Sequence, residues 1–193
     1  DNLLVHNRLY QLGYLEGVST KSEYLASIYD SYIDAIGSNG TIVVGTFTTQ
    51  TARFGDPFIY EETPCINGSF NQYILEREDS VRSLHPVNSF TAIGKLKNEI
   101  CSNTSVTNFG IDTPLDRLLK YKGKLLFIDN QYSNSAYIHY IEQMCGLPYC
   151  YNKLLDLDVY KEGELLKKEF TANVRYFDFD ILTGDVAIKA RLD

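Results

Sequence analysis

The alternation of apolar and polar positions predicts a strand, a helix and a second strand within the first fifty residues. Residues 3–6 form a short apolar run that indicates a buried strand ending at His6. Residues 20–23 have the form of a capping box, and apolar side chains then recur every three or four positions until Gly37, which predicts a helix. The β-branched residues of 41–48 are typical of a central strand. This order favours an α/β sheet with right-handed crossovers.

The rest of the chain is predicted to contain shorter elements. Residues 49–80 have weak periodicity and several turn residues, and we expect mostly loop there, with a short helix near 70–75. The elements expected after this loop are helices at 93–101, 114–120 and 135–145, a second central strand at 124–129, and edge or antiparallel strands at 170–177 and 186–190. Gly146 and Pro148 mark the end of the helix at 135–145.

The composition is that of an ordinary globular protein. With 193 residues, of which 44% are hydrophobic, the chain is long enough for one core and short for two, so a single domain is expected over residues 1–193. The net charge of -7 does not attract phosphate backbones, and nucleic acid is not expected as a partner. The four cysteines lack the spacing of a zinc site, and no metal is predicted. No apolar run approaches the ~20 residues of a membrane span and no basic leader is present, so we expect a cytoplasmic protein.

A histidine and a glutamate three residues apart stand out in the helix at 135–145. The helical repeat places His139 and Glu142 together, beside a broad arc of apolar residues. A carboxylate at this spacing can orient an imidazole and raise its basicity, which would allow the ring to accept a proton. The same spacing is also typical of an exposed, lightly paired helix face. Spacing alone leaves both interpretations open.

A second polar cluster occupies residues 82–89, where Pro86 directs His85 toward an extended backbone. Its hydroxyl, amide and backbone groups would suit a loop that positions a ligand. Serine and asparagine side chains also bond to their own backbone in ordinary turns, so an ordinary turn is the alternative.

Taken in order, these motifs resemble those of the aminoglycoside 3-N-acetyltransferase family. The series comprises Val5-His6, residues 40–48, Thr63-Pro64 with Gly68, residues 82–89 followed by 92–94, Phe109-Gly110 with Pro114 and Leu118, and His139-x-x-Glu142. It covers roughly three quarters of the chain, and the order and spacing of the motifs make the resemblance specific.

The resemblance implies an α/β fold, a single-domain mixed sheet with helices on both faces. It implies a CoA-dependent N-acyltransferase that moves the acyl group of acetyl-CoA, or of another acyl-CoA, directly to an amine of an amino sugar. His139 would be the catalytic base and Glu142 its acidic partner. The resemblance also implies a homodimer and no metal.

The same resemblance assigns positions to the two ligands. The segment 83–89 would accommodate the pantetheine arm and the thioester. The positions expected at the cofactor are His6, Thr46, Ser83, His85 and Ser89. Glu61 and Asp178 are candidate carboxylates for a cationic acceptor, although the sequence does not show whether they converge.

Some residues depart from the family pattern. Asn7 and Arg8 stand where the family usually has two small hydroxyl residues, and Ala136 stands where it has threonine; Ser135 is one helix position away. The family also usually continues beyond the point where this chain stops, as expected of a trimmed, partial or divergent member. The alternative function is therefore a catalytically degenerate CoA- or sugar-binding module. A third reading, a carbohydrate-binding protein that uses its tyrosine faces, predicts a shallow aromatic platform away from His139.

Overall fold

The computed structural model describes residues 1–129 and 135–176, and its largest element is a five-stranded mixed sheet. The strands of this sheet are β1 (Asn2–Asn7), β2 (Thr41–Gly45), β4 (Ser80–Arg82), β5 (Phe90–Gly94) and β6 (Lys124–Ile128). Their spatial order is β4-β5-β2-β1-β6. Strand β1 pairs in parallel with β2 and β6, whereas β5 pairs antiparallel with β2 and β4.

Helices cover both faces of this sheet. The helices are α1 (Lys21–Ile36), α2 (Thr49–Phe54), α3 (Ser69–Leu75), α4 (Lys97–Cys101), α5 (Pro114–Lys120) and α6 (Tyr137–Met144). Successive residues of β1 point to opposite faces, so Leu4 packs in a core with α4, α5 and α6, while Val5 packs in a second core with α1 and α3. The predicted α/β class and mixed sheet with helices on both faces are confirmed.

The first helix forms as its sequence predicts. The Thr20 hydroxyl accepts a hydrogen bond from the Glu23 amide at 3.2 Å, and the Glu23 carboxylate accepts one from the Thr20 amide at 3.0 Å. This capping box satisfies amides that the first turn leaves without helical partners. At the other end, Gly37 adopts a φ of 70°, a conformation that favours glycine, and the helix stops there.

Two smaller sheets lie outside the main one. Strands β7 (Cys150–Leu155) and β10 (Phe170–Arg175) form an antiparallel pair, and β3 (Phe58–Ile59), β8 (Val159–Lys161) and β9 (Glu164–Leu165) form the other sheet. Phe58, Val159 and Phe170 form a third apolar cluster between them. Among the residues described, no helix has the length and apolar character needed to cross a membrane.

Several predicted elements differ from the structure. The helix expected at 93–101 begins only at Lys97, because the apolar run before it is the buried strand β5. That strand ends at Gly94, whose φ of 116° accompanies a close approach to the Gly40 backbone. In the described part of the chain β6 is an edge strand, not the central strand expected at 124–129. Helix α2 forms within 49–80, where mostly loop was expected.

The expected strand at 170–177 corresponds to β10, and its last residue, like the strand predicted at 186–190, lies outside the described residues.

Candidate active site

Helix α6 presents the histidine and glutamate singled out by their spacing. Tyr140 anchors the helix, since its ring is buried in the core and its hydroxyl donates to Asp116 at 2.9 Å. The Nδ1 atom of His139 lies 2.9 Å from the Oε2 atom of Glu142. The His139 side chain is 43% exposed, whereas that of Glu142 is 7% exposed. The helix therefore presents an imidazole toward solvent with a buried carboxylate behind it.

The second carboxylate oxygen of Glu142 accepts hydrogen bonds from two residues outside the helix. Arg175 Nη2 donates to Oε1 at 2.7 Å, and the Tyr149 hydroxyl donates to the same atom at 3.1 Å. Burial pushes the pKa of Glu142 upward, but the hydrogen bonds from His139 and Arg175 outweigh burial and hold the pKa below its ordinary value. Glu142 is therefore ionised near neutral pH.

An ionised Glu142 determines which nitrogen of His139 carries the proton. A carboxylate only accepts hydrogen bonds, so in a neutral ring Nδ1 holds the hydrogen and Nε2 holds the free lone pair. No residue in the described ranges forms a hydrogen bond with Nε2. The exposed side of the ring thus carries an atom able to accept a proton, while the buried side is fixed.

Phe109 supports the His139 ring from a loop that sequence reasoning treated only as a motif. The two rings stack with centroids 5.4 Å apart and an interplanar angle of 30°. The next residue, Gly110, has a φ of 106°, and a Cβ atom there would collide with Gln143 of α6. Glycine thus permits the loop to approach the helix closely enough for the rings to meet.

His6 reaches the beginning of α6 from the end of β1. Its Nε2 atom lies 3.1 Å from the Ser135 hydroxyl, and its ring stacks on Phe127 at 5.0 Å between centroids. Burial lowers the pKa of His6 to about 4, so the ring is neutral under ordinary conditions. Ser135, considered as a replacement for the hydroxyl absent at Ala136, instead bonds to His6.

A cavity of about 740 Å³ opens directly after His6. Its walls come from the end of β1, the segment 8–20, and the beginnings of α1 and α3. Arg8 and Lys21 supply positive charge, and Tyr10, Tyr14 and Tyr24 supply aromatic surface. The volume lies within the range of about 300–1,000 Å³ that is typical of small-molecule sites.

The side chain of His85 is enclosed, unlike that of His139. It is 2% exposed; Nδ1 accepts from the Val87 and Asn88 amides at 3.2 and 3.0 Å, and Nε2 donates to the Thr171 carbonyl at 3.1 Å. Burial lowers the pKa of His85 to about 4. Both nitrogens are thus occupied, and the ring joins residues 83–89 to β10.

The other side chains expected near the cofactor are also buried and bonded within the protein. Ser83 accepts from the Phe90 amide at 2.8 Å, and Ser89 donates to the Thr46 carbonyl at 2.6 Å. Arg82 lies among them, with Nε donating to Ser89 at 3.0 Å. The arrangement favours a role in shaping the loop, and direct contact of Thr46, Ser83, His85 and Ser89 with a cofactor stays a prediction.

The guanidinium of Arg82 is the centre of this buried network. Its Nη1 atom donates to the carbonyls of Thr63 and Tyr60 at 2.8 and 3.1 Å, and the group lies 4.8 Å from the centroid of the Phe58 ring. Burial lowers the pKa of Arg82 to about 10. Within the described ranges no carboxylate pairs with it, so carbonyls and a ring face offset its charge.

Of the two carboxylates expected at the acceptor, the structure describes Glu61, and none of its described hydrogen bonds joins it to α6. Glu61 lies in an exposed turn after β3, and its carboxylate accepts from the Glu162 amide at 3.0 Å. Asp178 lies outside the described residues. Sequence reasoning missed Tyr149 and Arg175, because contacts 7 and 33 residues away from Glu142 leave no periodic signal.

Comparisons with known proteins agree with this architecture. A sequence model of the family described as "Aminoglycoside 3-N-acetyltransferase" matches residues 4–185. Aminoglycoside N(3)-acetyltransferase III of Serratia marcescens is 25% identical over 166 residues, which are 77% of this chain and 60% of that protein. The chain spans about three fifths of the length of the first curated relatives it matches.

Two solved structures have a similar fold. The crystal structure of the YokD protein from Bacillus subtilis has a TM-score of 0.79 at 20% identity, with 98% of this chain and 80% of that chain covered. A structure described as "AAC-IIIb binary with CoASH" has a TM-score of 0.79 at 16% identity, with 100% of this chain and 78% of that chain covered. At these identities the likeness concerns the fold.

Proposed function

Because this chain belongs to the aminoglycoside 3-N-acetyltransferase family, we propose that it transfers an acyl group from acyl-CoA to an amine of an amino sugar. The observation that carries the proposal is the half-exposed imidazole of His139. Its Nδ1 atom is held by Glu142, and its Nε2 atom has no hydrogen-bond partner within 1–129 and 135–176. A neutral imidazole held in this way has the geometry that a general base requires.

The chemistry assigned to His139 is removal of a proton from the attacking amine. The amine nitrogen bonds to the thioester carbonyl carbon while Nε2 accepts an N–H proton. Glu142 stabilises the resulting imidazolium through the Nδ1 contact. The carbon–sulfur bond then breaks, and the departing thiolate takes the proton from His139 to give CoA thiol and the amide. Such a base contributes about 10²- to 10⁴-fold in rate, and holding the reactants together supplies much of the remainder.

The cavity after His6 is the part of the structure best suited to the acyl donor. Arg8 and Lys21 provide the positive charge that phosphate groups require, and the aromatic side chains provide surface for a purine or a pantetheine arm. The cavity lies on the α1 and α3 side of the sheet, at the end of β1 where His6 contacts Ser135 just before α6. The solved relative with CoASH supports acyl-CoA as the donor. We infer that the thioester extends from this cavity toward His139.

The acceptor is proposed at the level of an amino sugar. The names of the relatives point to aminoglycosides, which are polycations, and the net charge of -7 favours a cationic ligand. Glu61 and Asp178 stay predictions as acceptor carboxylates. A panel that includes aminoglycosides and simple amino sugars would separate an antibiotic-modifying enzyme from one acting on another amino sugar.

The test follows thiol release from acetyl-CoA over this panel, for the protein and for His139→Ala, with acetyl-CoA binding measured by calorimetry. We expect turnover that disappears in the variant while binding survives. The matched control is Ile141→Ala, since Ile141 is exposed and lies about 200° around the same helix. Binding without turnover on every acceptor would support the degenerate module, and loss of both would refute the proposed function.

A further inference from the structure

Strands β7 and β10 form an antiparallel hairpin with a long connection, residues 156–169. This hairpin supplies two donors to the buried side of Glu142. Arg175 is the last residue of β10, and Tyr149 directly precedes β7. Cys150 pairs with Arg175 in the antiparallel register, and the Tyr176 amide donates to the Tyr149 carbonyl at 2.9 Å. Tyr149 and Arg175 therefore lie at the same end of this strand pair, and the side chains of both donate to Oε1 of Glu142.

The hairpin is also tied to the loop that supports His139. The Asn108 amide donates to the Thr171 carbonyl at 3.1 Å, and the Asn173 amide donates to the Asn108 side chain at 2.8 Å. Asn108 immediately precedes Phe109, which stacks on His139. One connected unit thus contacts both members of the pair on α6.

We propose that Arg175 and Tyr149 are positioning residues that keep Glu142 ionised and fixed, so that His139 holds its proton on Nδ1 and keeps Nε2 open. The kinetic consequence of this proposal rests on the proposed function, whereas its effect on the imidazole does not.

Glu142 needs these donors because a buried carboxyl group is not ionised by default. Burial alone favours the neutral acid, which can donate a hydrogen bond to Nδ1 and thereby place the ring hydrogen on Nε2. The groups that face Glu142 are the His139 ring, the Arg175 guanidinium, the Tyr149 hydroxyl and the Cys150 thiol. Burial raises the pKa of both Tyr149 and Cys150, so these two are neutral near pH 7. Of these four groups facing Glu142, Arg175 is the only one that carries a permanent positive charge.

The direct test is the tautomer of His139, read from imidazole ¹⁵N shifts of the labelled protein. The chain has three histidines, so a spectrum of His139→Ala identifies the signals of this ring. In the unaltered protein we expect hydrogen on Nδ1 at neutral pH. In Arg175→Met, which keeps an unbranched side chain but removes the charge, we expect a shift toward hydrogen on Nε2, and in Arg175→Lys partial recovery.

The kinetic test uses the same variants. Loss of the cation raises the pKa of Glu142. The acid limb of the kcat profile, which reports protonation of the coupled Glu142–His139 pair, should therefore move to higher pH by about one unit. At neutral pH kcat should fall about 10-fold, part of the ~10²- to 10⁴-fold that a base contributes, with the KM for acetyl-CoA little changed. In a Glu142→Gln background, Arg175→Met should have a smaller effect on the acid limb, because the carboxyl group through which Arg175 acts is gone.

Tyr149→Phe removes one oxygen and should shift both readouts in the same direction by a smaller amount. Lys153→Met is the matched control, since it removes an exposed positive charge from the same hairpin. An unchanged tautomer in both Arg175→Met and Tyr149→Phe would overturn the proposal. If Arg175→Met does not fold, the tautomer in Tyr149→Phe decides it. If the unaltered protein has no turnover on any acceptor, the proposed function fails, and the tautomer still decides the role of Arg175 and Tyr149.

Discussion

His139 and His85 belong to two regions that the sequence marked for similar reasons, yet their surroundings differ. His139 is half-exposed; a carboxylate holds one nitrogen, and no residue in the described part of the chain bonds to the other. His85 is 2% exposed, and its two nitrogens bond to backbone groups on either side. The same side chain has the geometry proposed for proton transfer in α6, whereas in residues 83–89 it holds a loop. What each imidazole can do depends on whether one of its ring nitrogens is left without a hydrogen-bond partner.

The two regions are connected through β10. His85 donates to the Thr171 carbonyl, and four residues later Arg175 donates to Glu142. A change in the buried loop can therefore alter the position of the His139–Glu142 pair without touching it.

The largest expected effect separates the two histidines directly. We expect His139→Gln to lower kcat by about 100-fold or more with a melting temperature close to that of the unaltered protein, because the ring is half-exposed. His85→Gln should instead cost about 1–3 kcal/mol of stability, since it leaves buried groups without good partners. Steady-state kinetics and thermal melts of both variants measure this. A larger kcat loss in His85→Gln than in His139→Gln would contradict the comparison.

Arg82→Met tests how much the buried network stabilises its loop. The substitution strips hydrogen bonds from the carbonyls of Tyr60 and Thr63 and from Ser89. We expect unfolding in urea at a lower midpoint, with a loss of about 3 kcal/mol, because each buried acceptor left unpaired costs about 1–3 kcal/mol and methionine recovers part of this by packing. Arg53→Met, at an exposed position, is the matched control. A change below that of the control would mean that the network contributes little.

The depressed pKa of His85 predicts that stability falls in mild acid. The folded ring resists protonation until about pH 4, whereas the unfolded chain binds the proton near 6.5. Between these values the unfolded state binds more protons, so the free energy of unfolding decreases as pH falls and recovers as pH rises. From pH 7 to pH 5 this histidine should account for about 2 kcal/mol, and the decrease in His85→Gln should be smaller by that amount. Urea titrations at the two pH values measure it. If the free energy of unfolding decreased equally in both proteins, the responsible protonation would occur at a group other than His85.

The smallest effect concerns the cavity. Arg8→Ser restores the small hydroxyl type that the family pattern leads one to expect and removes a cation from the cavity wall. If Arg8 receives a phosphate of the donor, the KM for acetyl-CoA should rise about fivefold, equivalent to about 1 kcal/mol for a solvent-exposed charge pair. Arg53→Ser provides the matched control. A KM that falls would indicate that the serine is the better donor contact and that Arg8 serves another ligand.

Much of the fold could be predicted from local patterns. The capping box and the stop at Gly37 define α1 to within a residue, and the alternating faces of β1 follow from its apolar run. Only the beginning of the helix expected at 93–101 was predicted wrongly. A short apolar run is compatible with a strand or a helix, and pairing with β2 decided for the strand up to Gly94. The edge position of β6 depends on its neighbours, which a single run of residues does not specify.

The candidate site also combines features that the sequence predicts with features that only the tertiary structure decides. The sequence by itself determined the His139–Glu142 spacing, because three residues along a helix bring side chains together whatever surrounds them. Only the tertiary structure decided that Glu142 is buried while Ile141 is about half exposed, since Arg175 and Tyr149 reach the helix from a hairpin across the fold. Local spacing depends on backbone geometry alone, whereas burial, charge and the choice of free nitrogen depend on residues that only chain folding brings within reach.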